Sequence, residues 1–380
     1  MVTRYPESPP RDPQVLLLGA EGIDSMMQRR DLTTCQRGDR LTCCGYLRQM
    51  AAHLLTRATV GLGLLSLVCL AAAQDKVWRL GLLSAGPQAQ ESGAQSSWRS
   101  GVLASLERNG FRVGSNLELV DRYAGGDPAR LPSLAREIAA AHVDVVVAIT
   151  DGSVRAMLEV NKTTPIVMVV GTDPVDAGFV ASLARPGGKL TGIAFRTAEG
   201  DAKRLQFLRE AMPAARRFGY LWPPGPIPVR TVDLVTEAAR RLNIELTMRA
   251  VPVLEPAAYE AAFSAMRKEG AAGVLVASTQ RLSFEAQRFG PVAHSVGLPT
   301  ICEWDYMART GCTLAYGHDL EYARRRVGEY VARILRGTSP EDLPVEQADT
   351  WKLTVNRGAA ARVGLAIPPS VLARADEVID

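Results

Sequence analysis

Few residues in this chain have the types and spacings that bond-breaking chemistry needs. The histidines His53, His142, His294 and His318 are scattered, with no HExxH pair one helical turn apart, so no metal site is expected. No Gly-rich phosphate loop opens the first helix, and Leu82-Leu83-Ser84-Ala85-Gly86 lacks the leading glycine of a nucleophile elbow. The chain reads as a non-enzyme that uses no cofactor. What remains are polar and aromatic residues just after apolar runs, suited to holding a small molecule. Thr150-Asp151-Gly152-Ser153 combines a hydroxyl, a carboxylate and the N–H groups of a helix start, which can hold a carboxylate. Asp173-Pro174 reads as a helix start, Asp as N-cap and Pro at the first helical position, with a carboxylate that can also meet a ligand ammonium. Ser84, Trp222, Thr279, Glu303, Trp304 and Tyr316 also stand at strand ends, and each can equally be a turn, cap or packing residue.

Those positions matter because of the elements that carry them. Strands are expected at 76–83, 117–123, 144–149 and 166–170, alternating with helices at 95–109, 128–141 and 152–161. Within the strand expected at 144–149, the residues after Asp144 form an unbroken apolar run, as a strand buried on both faces requires. After Arg185-Pro186-Gly187-Gly188 the chain is expected to cross, through 190–195, into a second lobe with the same rhythm. There, strands at 217–222, 244–251, 273–277 and 299–302 alternate with helices at 200–212, 229–242, 256–268 and 284–296. A strand at 313–316 and a long helix at 319–336 lead back to the first lobe, 351–355 crosses again, and a helix at 369–378 finishes on the second. The reading is α/β: two Rossmann-like lobes with parallel sheets joined by a multi-crossing hinge. The first lobe comprises 76–192 plus 317–345, the second 193–316 plus 346–380. Ligands in open α/β sheets bind outside the carboxyl ends of the strands, so the loops after strands form the expected cleft.

Residues 50–73 read as a secretory signal peptide. Arg57 ends a short basic start, 58–70 is uncharged and Leu-rich, and Ala71-Ala72-Ala73 supplies small residues for cleavage. A membrane anchor is the alternative, but Gly61, Gly63 and Ser66 dilute the run. Residues 1–49, with mixed charge and Cys35, Cys43 and Cys44, read as an extension upstream of a true start at Met50, or as disordered. Cys302 and Cys312 then remain, expected as two buried thiols, with a disulfide as the other possibility. A net charge of +4 on 380 residues gives no electrostatic case for nucleic acid.

Several segments share a pattern. Gly171-Thr172-Asp173-Pro174-Val175 is followed by Phe179–Gly188 and Leu190-Thr191-Gly192-Ile193; Glu303-Trp304, Ala315-Tyr316-Gly317 and Ile367–Ile379 come later. On these, the chain from about Val77 to Asp380 resembles the ABC transporter substrate-binding proteins of the tryptophan/tyrosine type, which have the type I periplasmic-binding fold. The resemblance implies a periplasmic protein, working as a monomer, that captures an aromatic amino acid or related solute. It would deliver that solute to an ABC permease and, through it, to the ATPase. One departure stands out. Such proteins commonly carry an Asn-rich loop where this chain has Trp222-Pro-Pro-Gly-Pro-Ile-Pro228, which removes amide donors from the cleft.

Two other function classes share the architecture. A periplasmic receptor for a sensor kinase would bind by the same physics and be separated only by its partner. A two-lobed amino-acid racemase would need one thiol from each lobe, whereas Cys302 and Cys312 lie close together on one side of the chain.

Overall fold

The structure, a computed structural model, describes residues 76–87, 98–195, 197–225 and 229–380. The expected leader, the stretch 1–49 and Cys35, Cys43, Cys44 and Cys69 lie outside those residues.

The first lobe is an open parallel sheet. Its strands are β1 (Trp78–Ser84), β2 (Leu117–Tyr123), β3 (Val145–Ile149), β4 (Ile166–Val170) and β5 (Leu190–Ala194), joined late in the chain by β11 (Glu346–Gln347). They lie in the order β11-β5-β4-β3-β1-β2. Because successive side chains point to opposite faces, β3 and β4 feed two separate cores. Val145, Val147, Ile149, Val167 and Val169 pack on one face. Val146, Ala148, Ile166, Met168 and Val170 pack on the other. Each fully buried Val or Ile here contributes roughly 1.5–3 kcal/mol, and a charge at Val147 would break both the pattern and the core. Helices α1 (Trp98–Arg108), α2 (Leu131–Ala140) and α3 (Asp151–Val160) cover the faces.

The second lobe contains β6 (Arg217–Trp222), β7 (Glu245–Ala250), β8 (Val274–Val276), β9 (Thr300–Cys302), β10 (Leu314–His318), β12 (Trp351–Asn356) and β13 (Glu377–Ile379). Their order is β13-β12-β10-β9-β8-β6-β7, parallel except that β10 and β12 run antiparallel. The helices are α4 (Thr197–Ala211), α5 (Val229–Arg241), α6 (Pro256–Lys268), α7 (Gln280–Ser283), α8 (Ala286–Val296) and α9 (Asp305–Arg309). The long α10 (Leu320–Leu335) returns to pack on α1 of the first lobe. Helices α11 (Arg357–Arg362) and α12 (Pro369–Leu372) close the chain.

Several expectations shift. The strand expected at 313–316 stays in the second lobe, as its assignment there required, but extends to His318 and pairs with β9 and β12. Residues 190–194 stay in the first sheet beside β4, and Glu346–Gln347 pair with β5. Each crossing therefore falls a few residues downstream of its expected place. The terminal helix stops at Leu372, and Glu377–Ile379 add a strand beside β12. The expected helix over 284–296 is α8, which starts at Ala286 and is ended by Gly297 in the left-handed conformation; the short α7 precedes it. Cys302 and Cys312 are joined in a buried disulfide with Cα atoms 6.2 Å apart, contrary to the expectation of free thiols. The reason is geometric: β9 leads into α9, and the chain turns back through Cys312 into β10, within bridging distance.

Three crossings run side by side. His318 Nε2 lies 2.5 Å from the carbonyl oxygen of Phe195, and the Asp319 amide donates to Thr350 O at 2.9 Å. The His318 ring is 3.7 Å from that of Trp351 and 5.2 Å from that of Phe195. One imidazole thus touches all three connections.

Candidate functional site

The carboxyl ends of the two sheets face each other. Three contacts across the gap establish this. Trp304, after β9, meets Phe195, after β5, edge-on with ring centroids 5.3 Å apart. Arg230 in the first turn of α5 bonds Asp176, beyond β4, at 2.7 Å. Phe284 of the second lobe lies against Gly86 of the first.

On the first lobe, the expected residues Ser84, Thr150, Asp151, Asp173 and Pro174 stand at or just after the ends of β1, β3 and β4. Ser84 ends β1 buried, its Oγ accepting from the Gly86 amide at 3.1 Å. Thr150 caps α3 through Oγ1, from the Ser153 amide at 3.3 Å, at a φ of 99° that non-glycine residues rarely adopt. Asp151 accepts from the Thr172 hydroxyl, joining the β3 and β4 loops. Asp173 is a cap, as the sequence implied, but of a turn and not of a helix. Its Oδ1 accepts from Val175 N at 2.9 Å and Asp176 N at 3.2 Å, and the chain leaves the turn at Gly178, whose φ is 73°. Pro174 is buried beneath that turn.

On the second lobe, Trp222 is 8% exposed and packs beside Tyr220 in the lobe's core, so its ring forms no open wall. Thr279 caps α7, its Oγ1 accepting from the Leu282 amide. Tyr316 lies two residues before the end of β10, stacks on Trp351, 5.0 Å away and nearly parallel, and meets Phe207 at a tilt of 48°. Trp304 is half-buried and, like Tyr306, packs against the cores of both lobes. Glu303 is 4% exposed, and its Oε1 has no hydrogen-bond partner. Burial pushes its carboxyl up to about 8, against the pull of Arg204 and with the repulsion of Asp201.

Sequence reading missed the ionic cluster beneath this surface. On α4, Asp201 and Arg204 form a fully buried pair at 2.8 Å. Arg204 also donates to Tyr316 O at 2.7 Å, to Thr197 O at 3.2 Å and to the Ser278 hydroxyl. Ser278 donates to Asp201 Oδ1 at 2.7 Å, and the Tyr220 hydroxyl donates to Oδ2 at 3.0 Å. Burial beside Asp201 drives the Tyr220 phenol well above its ordinary range. Asp201 and Arg204 are three apart on a charged helix, which looks like a solvated pair; the one signal was their place directly after a crossing. His318, also missed, has its pKa lowered by burial to about 4.

This geometry offers polar strand ends, an aromatic cluster of Trp98, Phe195 and Trp304 bridging the lobes, and one unpartnered carboxyl. It can hold a small solute; among the described residues no group of three His, Cys, Asp or Glu could hold a metal ion. Residues 88–379 match the model of the family described as ABC transporter substrate binding protein. The chain belongs to that family. It is therefore a substrate-binding protein and not an enzyme, works outside the cytoplasm, and serves an ABC transporter with a small-molecule ligand. It is 26% identical, over 68% of its own length and 74% of the relative's, to a protein from Clostridioides difficile (strain R20291) named tyrosine-binding protein. Among solved structures it resembles a conserved domain protein from Vibrio cholerae, 26% identical, with a TM-score of 0.70 over 80% of this chain and all of that one. A domain from Streptococcus pneumoniae crystallised with L-Trp shares the fold at 20% identity and a TM-score of 0.68, over 80% of this chain and 99% of that one. The fold is that of the type I solute-binding proteins, as the motifs implied.

Proposed function

We propose that this binding protein captures an aromatic amino acid or a closely related solute in the interlobe cleft, as a periplasmic monomer. The observation that carries the reading is the aromatic cluster of Trp98, Phe195 and Trp304, contributed by both lobes, beside strand ends rich in hydroxyls and carboxylates. Stacked and edge-on contacts between aromatic rings contribute roughly 0.5–1.5 kcal/mol each beyond burial, so such a cluster suits an aromatic side chain on the solute. Ser84, Thr150, Asp151, Asp173, Pro174, Thr279, Glu303 and Trp304 are the residues assigned to the cleft, with Trp222 and Tyr316 supporting it from behind. The names of the tyrosine-binding relative and of the tryptophan complex support the same class.

Thermal-shift titration with L-tyrosine, L-tryptophan, small carboxylates and neutral sugars tests this. A ligand that binds only the native state raises the melting temperature, and the aromatic amino acids should raise it most. If neutral sugars stabilise the protein and aromatic amino acids do not, the reading falls. Export is tested separately: the N-terminus of the secreted protein should begin at or near Gln74, and a secreted chain retaining His53 would contradict cleavage after Ala73.

A further inference from the structure

The carboxylates near the cleft differ in one respect. Asp173 Oδ1 accepts two backbone amides and Asp151 accepts the Thr172 hydroxyl, while Glu303 buries Oε1 with no partner at all. A buried acceptor left unpaired costs roughly 1–3 kcal/mol, so its retention at a strand end calls for an explanation. Its setting is fixed tightly. Gly317 of β10 runs so close that an added Cβ would stand 2.0 Å from Glu303 O and 3.4 Å from Cγ. The next residue, Trp304, forms the cross-lobe aromatic contact, and the disulfide at Cys302 anchors the previous one.

We propose that Glu303 is the anchor for a positively charged nitrogen on the captured solute, and that the solute's arrival displaces the proton from its carboxyl. This rests on the interlobe cleft being the capture site. The step balances simply: the neutral carboxyl gives its proton to solvent, and the carboxylate accepts N–H bonds from the ligand ammonium. The charges around Glu303 are consistent with it. On α4, Asp201 and Arg204 neutralise one another; the Tyr306 phenol on α9 is raised by burial and by Glu303 itself. Tyr220 on β6 and His318 on β10 stay neutral, and the Arg324 guanidinium on α10, its pKa lowered by burial, feels the charge of Asp305 and then of Tyr306 on α9. The neighbouring cation, Arg204, already has its donors bonded to Asp201, Ser278 and two carbonyls, and none of them is bonded to Glu303.

Calorimetric titration at pH 7 in two buffers of different ionisation enthalpy decides this. The probes are L-tyrosine, tyramine and 3-(4-hydroxyphenyl)propionate, which carry both charges, the amine alone and the carboxylate alone. Binding of the amine-bearing probes should release about one proton per ligand, because a group titrating near pH 8 is mostly protonated at 7. Glu303→Gln, which preserves shape, should abolish the release and weaken those probes by about 10- to 100-fold. Binding of L-tyrosine without proton release, or with equal affinity in Glu303→Gln, overturns the inference while leaving the capture of aromatic amino acids standing. Tyramine binding with release, but no L-tyrosine binding, supports the inference and refutes the amino-acid reading. If neither amine binds, both fail.

Discussion

The ring of Phe284, carried by the second lobe, fills the space that a side chain on Gly86 of the first lobe would need. A Cβ added at Gly86 would stand 2.4 Å from Phe284 Cζ. The two residues therefore meet only because one of them has no side chain.

Gly86→Val should accordingly hold the lobes apart without disturbing either core. If the closed form becomes a minor population, apparent affinity falls by the same fraction, and about tenfold is expected. Small-angle scattering should show a larger radius of gyration with the melting temperature of the unliganded protein nearly unchanged. An unaltered radius and affinity would mean that Phe284 simply swings aside.

His318 makes the protein sensitive to acid. Its ordinary pKa of 6.5 falls to about 4 in the fold, chiefly through burial, so the folded state favours the neutral ring. The stabilisation is complete above pH 6.5 and is lost as pH falls toward 4, a loss of about 3 kcal/mol. Urea unfolding across that range should show the slope, and His318→Gln should flatten it. Equal slopes in the two proteins would remove His318 from the account.

The Cys302–Cys312 disulfide closes a loop of sequence separation 10 that contains Glu303, Trp304 and Tyr306. Chain-entropy arguments give about 2–3 kcal/mol for a loop of this length. Mass spectrometry without reductant should find neither cysteine alkylatable, and the paired Cys302→Ala, Cys312→Ala variant should lose stability of that order. Two freely alkylated thiols in the native protein would contradict the bond.

Arg204→Ala should destabilise by about 3–5 kcal/mol, because it strands the Asp201 carboxylate in the core. Replacing both charges, Arg204→Met with Asp201→Asn, should be milder than Arg204→Ala alone. Denaturant midpoints for the two proteins give the comparison, and a harsher double variant would show that the carbonyl contacts of Arg204 outweigh its charge.

Much of the architecture was legible in the sequence because its strands are buried on both faces. Val145–Ile149 and Ile166–Val170 are unbroken apolar runs, and nothing but a central parallel strand suits them. The strand ends were legible for the same reason, which is how Ser84, Thr150, Asp151 and Glu303 could be placed at or just after them. Direction was not. Trp222 turns into its own lobe because Tyr220 and the β6 core take the ring, and no spacing rule distinguishes that from a cleft wall. The turn at Asp173 illustrates a second limit. Asp-Pro starts helices and tight turns alike, and Gly178 at positive φ ends this one before a second helical turn can form. Asp201, Arg204 and His318 were illegible because their meaning comes from segments far away: Ser278, Tyr316 and Phe195.

The three crossings near His318 also bear on the thermodynamics of capture. Lobes joined by a single linker would sample a wide range of relative orientations and lose that freedom on closing around a solute. Here the connections at Phe195, Asp319 and Thr350 are bonded side by side, which leaves essentially one rotation, spread over a few backbone torsions. Fixing one residue's backbone costs roughly 1–2 kcal/mol, so an opening confined to so few torsions keeps the entropy lost on closing small. Weak contacts with a small solute are then sufficient to hold the cleft shut, and the same narrow freedom lets it reopen when the transporter competes for the cargo.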